Sequence, residues 1–270
     1  MVITAQQDID GAEAAAQCVT TTHLRLVEYL QVGRTLAQVD RFVAETLSSL
    51  DCRSAFLRYR MKGHPPFSSH ACLSLNDCIV HGTHDMTDKP LAPGDILSVD
   101  IGVIHHGWIG DAAWTYAIGE ATDEALQLMA CGRESLRRGI ASVKAGRPLV
   151  EWAQTLQPYV EEDCGYFLVR GLGGHGYGRT LHGPPFLSNV TPRHPSEWPD
   201  AWETFKPGML LAVEPMIALG SGEIISDGKA WPIYTADGSL SVHYEADILV
   251  TENGARDLTD GMNQLPDIVK

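Results

Sequence analysis

Two carboxylates, Asp100 and Asp111, stand in the stretch ILSVDIGVIHHGWIGDAAWTYA (96–117), where packing alone would not place a charge. Leu97, Val99, Ile101 and Val103 alternate with Ser98, Asp100 and Gly102, the period of a strand with one apolar face. Trp108 to Tyr116 is a second β-favouring run, and with His105 and His106 as the turn the two runs form a hairpin. Counting outward from Ile104 and Gly107 sets Asp100 opposite Asp111. Two like charges so placed are destabilising unless they share a proton or a cation. Other polar groups interrupt apolar runs or glycine-rich turns in the same way. His175 lies in GLGGHGYGR (171–179) with His182 shortly after, Glu214 interrupts LLAV before Pro215, and Glu245 sits within VHYEADILV. Buried and unpaired, such carboxylates are costly. Asp100, Asp111, His175, Glu214 and Glu245 supply one imidazole and four carboxylates, a donor set suited to two divalent ions of the Mn, Fe, Co or Zn kind.

The elements that must carry these residues read clearly in part. Residues 5–32 have the apolar spacing of a long helix, which Gly33 would end at C′. Thr35 and Gln38 form a T-x-x-Q capping box for a second helix through Leu47. Cys52 to Ser69, with Gly63, Pro65 and Pro66, is a loop and a candidate pocket rim. Short strands at Cys72–Leu75 and Cys78–Val80 precede the hairpin, Thr122 caps a helix ending before Gly146, and Leu149–Glu161 is a shorter helix. The proline-rich run from Pro184 to Gly208 is a long loop, too long for a simple connector and therefore a candidate lid. Strands resume at Met209–Ile217 and Ser241–Val250, and no domain linker is visible.

Composition narrows the classes. A chain of 270 residues with 44% hydrophobic content can bury a full core. It shows no secretory signal and no apolar stretch of membrane-spanning length, so a cytoplasmic protein without membrane contact is expected. The net charge of −14 argues against nucleic-acid binding, which needs clustered Lys and Arg. Arg53, Arg58, Arg60 and Lys62 are the local exception, read as a solvated loop, with a ribosomal or acidic partner contact as the functional alternative. Six cysteines without a CxxC pair suggest free thiols, those other than Cys72 in packing positions, rather than a zinc knuckle or disulfide framework. His105 and His106 read as turn residues; His64, His70 and His243 flank pocket or ligand positions.

Taken in order, His81-Gly82, the Asp100/Asp111 pair, GGHGYGRTLH, GMLLAVEPM and SVHYEADILVTENG resemble the methionine aminopeptidases of the pita-bread metallopeptidase family, from the first helix to about Gly254. The resemblance implies an α+β fold of two pseudo-symmetric halves, curved antiparallel strands inside and helices outside, with residues 1–270 as one catalytic domain. It implies that Asp100, Asp111, His175, Glu214 and Glu245 hold two metal ions and that water activated there attacks the first peptide carbonyl. Glu214 would accept the water's proton, His182 would stabilise the oxyanion and His81 would hydrogen-bond the scissile amide. Phe67, Cys72, Leu181 and Trp231 match the methionine pocket, although Leu181, Gly183 and Ala246 differ from the family's usual residues. The implied partner is the N-terminal peptide of nascent proteins, acted on by a monomer. The alternatives are a relative acting on X-Pro peptides and a non-catalytic peptide-binding member of the fold.

Overall fold

Local chemistry starts the helices where the sequence places it. The computed structural model describes residues 1–270. In α2 (Leu36–Ser49) Thr35 Oγ1 accepts from the Gln38 N–H at 3.3 Å while Gln38 Oε1 accepts from the Thr35 N–H at 3.0 Å, the reciprocal box expected. Thr122 likewise accepts from the Ala125 N–H to start α3 (Asp123–Ser142). α1 spans Gln6–Tyr29 and stops short of Gly33: Leu30 leaves in extended conformation, and Gly33, at φ 88°, instead turns the chain so that its N–H donates to Leu91 O. α4 (Val150–Gln157) passes into a π-helical turn over Pro158–Asp163 rather than continuing as one helix.

The hairpin forms from Ile96–His105 and Trp108–Ile118, but its register differs from the expected one by two residues. His106 and Gly107 make the turn, both in the left-handed region at φ 48° and 80°, so His105 pairs with Trp108 and belongs to the strand. Asp100 therefore faces Ala113 and Asp111 faces Gly102. The two aspartates are diagonal neighbours on one face of the sheet, still within side-chain reach. The hairpin is also covered on both faces, not one. α1 packs across it so closely that a Cβ on Gly110 would lie 2.6 Å from the backbone of Ala15. Two of the polar residues this buries pair with each other: Ser98 and Thr115 share a 2.8 Å hydroxyl hydrogen bond, and Thr115 donates to His243 O.

Cys72–Leu75 and the two-residue strand Arg53–Ser54 extend the hairpin at Ile96–His105, and Ile268–Val269 runs parallel beside Trp108–Ile118. A second sheet runs in the order Gly254–Asp257, Ala246–Thr251, Leu210–Val213, Gly173–Gly176, Gly183–Ser188, with α3 and α4 against the second half. Each half is thus two helices followed by antiparallel strands, the pita-bread arrangement. The halves join where Glu245 N–H donates to Ala113 O at 2.9 Å and Asp111 N–H donates to Asp247 Oδ2 at 2.8 Å. One continuous apolar core spans the join.

The Pro184–Gly208 segment is not a lid. Its first residues are the edge strand Gly183–Ser188, Trp198 is buried with its indole N–H on Phe186 O, and buried Asn189 accepts from Trp152 and donates to Glu214 O. Those anchors hold it as a wall. Arg53, Arg58, Arg60 and Lys62 are exposed, as a solvated loop requires. No helix is long and apolar enough to cross a membrane.

His23 of α1 supplies a test of this packing. It is fully buried, its ring nitrogens on Tyr116 Oη (2.9 Å) and Ala112 O (3.3 Å), and burial pulls its pKa down to about 4. The folded value lies below the ordinary 6.5, so its contribution to stability is complete above pH 6.5 and is lost as pH falls toward 4. Urea titrations of wild type and His23→Gln should therefore diverge across that window, the variant losing about 3 kcal/mol less. Parallel acid limbs would contradict the assignment.

Candidate active site

Strand breaks, not strand centres, place the two glutamates. Val213 pairs with Ala246 in one sheet and Met216 pairs with His243 in another, so the two chains cross between sheets together. Glu214-Pro215 and Tyr244-Glu245 occupy the crossing. Pro215 has no N–H to continue a ladder, and the break turns both carboxylates inward. The run read as one strand over Ser241–Val250 is accordingly two, Ser241–His243 and Ala246–Thr251.

His175 arrives on the short central strand Gly173–Gly176 rather than in a turn. Its flanking glycines answer to neighbouring backbone, not to a ligand. A Cβ on Gly173, Gly174 or Gly176 would lie 2.1–2.4 Å from the carbonyl oxygens of Leu187, Ala212 or Pro184. The glycines let three strands close around the histidine.

All five expected ligands line one cavity of about 670 Å³. His175 Nε2 lies 3.8 Å from Asp111 Oδ2 and 3.7 Å from Glu214 Oε1. Donor atoms of Asp111, His175 and Glu245 fall within 4.8 Å of one another, and those of Glu214, His243 and Glu245 form a second such group. Asp100 completes the set from the diagonally neighbouring position on the same sheet face. Burial is the first cause that raises every one of these carboxyls. Asp100 is pushed to about 8, with Glu214 as the next cause; Asp111 is raised further by Asp100, Glu214 by Asp111, and Glu245 by Asp111 and Glu214. Burial also holds His175 down at about 3.

These groups lack compensation from the protein. The cavity lining contains no Lys or Arg, and Asp100 Oδ1, Asp111 Oδ1 and His243 Nε2 are buried with no hydrogen-bond partner. Orphaned acceptors of one sign, converging with a neutral imidazole, fit divalent cations. Glu245 belongs to both groups and joins them.

The other expected residues line the same cavity. His81 takes a left-handed backbone at φ 59°, unusual for a residue with a side chain, and burial lowers its pKa to about 4. His182 packs edge-on against His175 with centroids 4.4 Å apart, and its Nδ1 is 2.7 Å from Tyr59 Oη. Phe67, Cys72, Leu181 and Trp231 form an apolar slot beside the carboxylates, with Phe67 and Trp231 perpendicular at 5.3 Å and the Trp231 N–H anchored on Pro65 O. His64 lies against Trp231, ring centroids 5.0 Å apart and tilted by 38°, whereas His70 is turned away onto Asp40, 2.9 Å from its carboxylate. His105 and His106 lie at the far end of the hairpin.

Two residues here, Asp247 and Tyr59, were not singled out from sequence, and His243 was read only as flanking a pocket or ligand position. His243 Nε2 is 3.3 Å from Glu214 Oε2 and 3.8 Å from Glu245 Oε2, a buried imidazole against both glutamates. Asp247, fully buried, fixes the Asp111 backbone. Both were findable: Asp247 interrupts an apolar run as Glu214 does, and His243 precedes Glu245 by two. Tyr59, which orients His182, lies in an aperiodic loop and carried no signal.

The sequence and fold are similar to those of known proteins. A methionine aminopeptidase of Clostridium acetobutylicum is 33% identical over 259 residues, covering 96% of this chain and 98% of that protein. The crystal structure of methionine aminopeptidase from Rickettsia prowazekii superposes with a TM-score of 0.87 at 30% identity, covering 96% of this chain and all of that one. The methionine aminopeptidase structure from Thermotoga maritima gives a TM-score of 0.85 at 33% identity, covering 96% of this chain and 99% of that one. The profile of metallopeptidase family M24 matches residues 10–252, a span that holds every residue of the centre, and the chain belongs to that family.

Proposed function

We propose that the protein is a metal-dependent aminopeptidase, residues 1–270 acting as one catalytic domain, that hydrolyses the first peptide bond of nascent proteins to release N-terminal methionine. The observation that carries this reading is the convergence of Asp100, Asp111, His175, Glu214 and Glu245 beside an apolar slot. Those five residues would hold two divalent ions, of Mn, Fe, Co or Zn, which when bound supply Lewis acidity at the scissile carbonyl and lower the pKa of water.

The chain's own groups divide the remaining work. Glu214, beside His175 and His243, accepts the proton of the attacking water and returns it to the leaving amine. His182, held by Tyr59, faces the position where negative charge develops on the carbonyl oxygen. His81, kept neutral by burial, hydrogen-bonds the scissile amide. Phe67, Cys72, Leu181 and Trp231 enclose the first side chain, and aromatic edges beside a thiol suit a flexible, polarisable thioether.

The test is a cleavage panel of Met-Ala-Ser, Leu-Ala-Ser and an X-Pro tripeptide, run with added Mn, Co or Fe. Release of Met from Met-Ala-Ser at least tenfold faster than Leu from its analogue is expected. Cleavage of the X-Pro peptide alone would reassign the substrate, and no cleavage under any metal would leave a peptide-binding protein.

A further inference from the structure

Away from the carboxylate cavity, three soft donors meet. Cys18 comes from the middle of α1, Cys52 from the residue before the Arg53–Ser54 strand, and His105 from the last position of the Ile96–His105 strand. Their Sγ, Sγ and ring nitrogen atoms all lie within 4.8 Å of one another, and Cys52 Sγ is 3.4 Å from His105 Nδ1. We propose that Cys18, Cys52 and His105 form a second metal site, a three-ligand thiolate and imidazole centre for a thiophilic ion of the zinc class.

Geometry supports it first. Metal–sulfur bonds of about 2.3 Å and metal–nitrogen bonds of about 2.0 Å give tetrahedral edges of roughly 3.5–3.8 Å, so the Cys52–His105 separation is already that of one edge. The three residues are separately fixed. Arg53 pairs with Ile104, which holds Cys52 beside His105, and the close approach of α1 to the hairpin at Gly110 holds Cys18 over them. Cys18 and Cys52 are 9% and 5% exposed, and His105 is half-buried, so the ligands are sheltered yet reachable. A cavity of about 420 Å³ lined by Asp51, Cys52, Arg53 and His106 adjoins the site on the Cys52 side, so solvent reaches that ligand.

The donors also differ in kind from those of the catalytic centre. Two sulfurs and an imidazole select Zn(II) or Cu(I), whereas a carboxylate-rich set suits harder ions. Five residues of strand separate His105 from Asp100, about 17 Å at the ordinary rise per residue, so the sites are independent. The thiols already influence each other: Cys52 beside it lowers the Cys18 pKa, while Cys18 and burial raise that of Cys52, whose Sγ lies 3.4 Å from Leu50 O and from His105 Nδ1. Binding releases both thiol protons and leaves the ion on two thiolates and a neutral imidazole. Its effect would be to tie α1, the end of α2 and the hairpin tip together.

Cobalt(II) is the probe, because sulfur ligation gives a near-ultraviolet charge-transfer band that carboxylates and imidazoles do not. Reduced, chelator-treated protein titrated with Co(II) should develop that band with the uptake of one ion beyond those retained by Cys18→Ser/Cys52→Ser. The double variant should lack the band while keeping peptidase activity within about twofold, and Cys72→Ser, altered beside Asp100, should keep it. His105→Asn, which preserves both thiols, should shift the band and weaken Co(II) binding at least tenfold, a readout that stands even if the double variant folds poorly. Absence of a sulfur band in the wild-type protein, or its loss in Cys72→Ser alone, would overturn the proposal.

Discussion

Replacing Glu214 by glutamine is expected to lower hydrolysis of Met-Ala-Ser by about 10²–10⁴-fold, the usual share of general acid and base catalysis. Gln preserves the shape and the crossing at Pro215, so helix and strand content should not change. What it removes is the carboxylate that can accept a proton, together with one negative ligand. The sign of the stability effect separates this account from mere damage to the fold. Glu214 is raised well above its ordinary pKa by burial and by Asp111, so its charge opposes folding of the metal-free chain. Chelated Glu214→Gln should melt no lower than chelated wild type. Activity within tenfold of wild type would remove Glu214 from the reaction, and a lower melting point would assign it a packing role.

Chelation of the wild-type protein should give the other large effect, and it should depend on pH. Asp100 has a folded pKa of about 8 against an ordinary 3.8, so its contribution to stability is complete below about 4 and is lost as pH rises through 8. Asp111, Glu245 and Asp247 are shifted in the same direction, each first by burial. Below pH 6.5 the buried His23, His81, His175 and His243, all with depressed pKa values, pull the other way. Above 6.5 they are neutral in both states and the carboxyls act alone. Metal-free protein should therefore lose about 2 kcal/mol or more between pH 6.5 and 8. Protein loaded with Mn(II) should show little slope there and a higher midpoint, because the ions bind the folded state. Equal slopes with and without metal, measured by urea denaturation, would mean that these carboxyls are compensated by something else.

What could be read from the residues depended on how local the determinant was. Thr35 with Gln38 and Thr122 act within one turn, and both helix starts lie where their side chains put them. The ligands were legible because a carboxylate in an apolar run needs a partner, a fact independent of register. The hairpin register was not, because either His105-His106 or His106-Gly107 can form a two-residue turn, and only left-handed φ at His106 decides it. The same holds for the glycines around His175, whose neighbours come from strands on either side in space. Pro184–Gly208 reads as a loop from its prolines, yet Trp198 and Asn189 anchor it through partners distant in sequence. Cys18, Cys52 and His105 look unrelated along the chain and meet only because α1 crosses the hairpin.

The direct measurement is anomalous diffraction from crystals grown with Mn(II). Peaks within coordinating distance of Asp111, His175, Glu214 and Glu245, with a neighbour on Asp100, are the predicted result. Ordered side chains without anomalous density among them, at saturating Mn(II), would contradict the account.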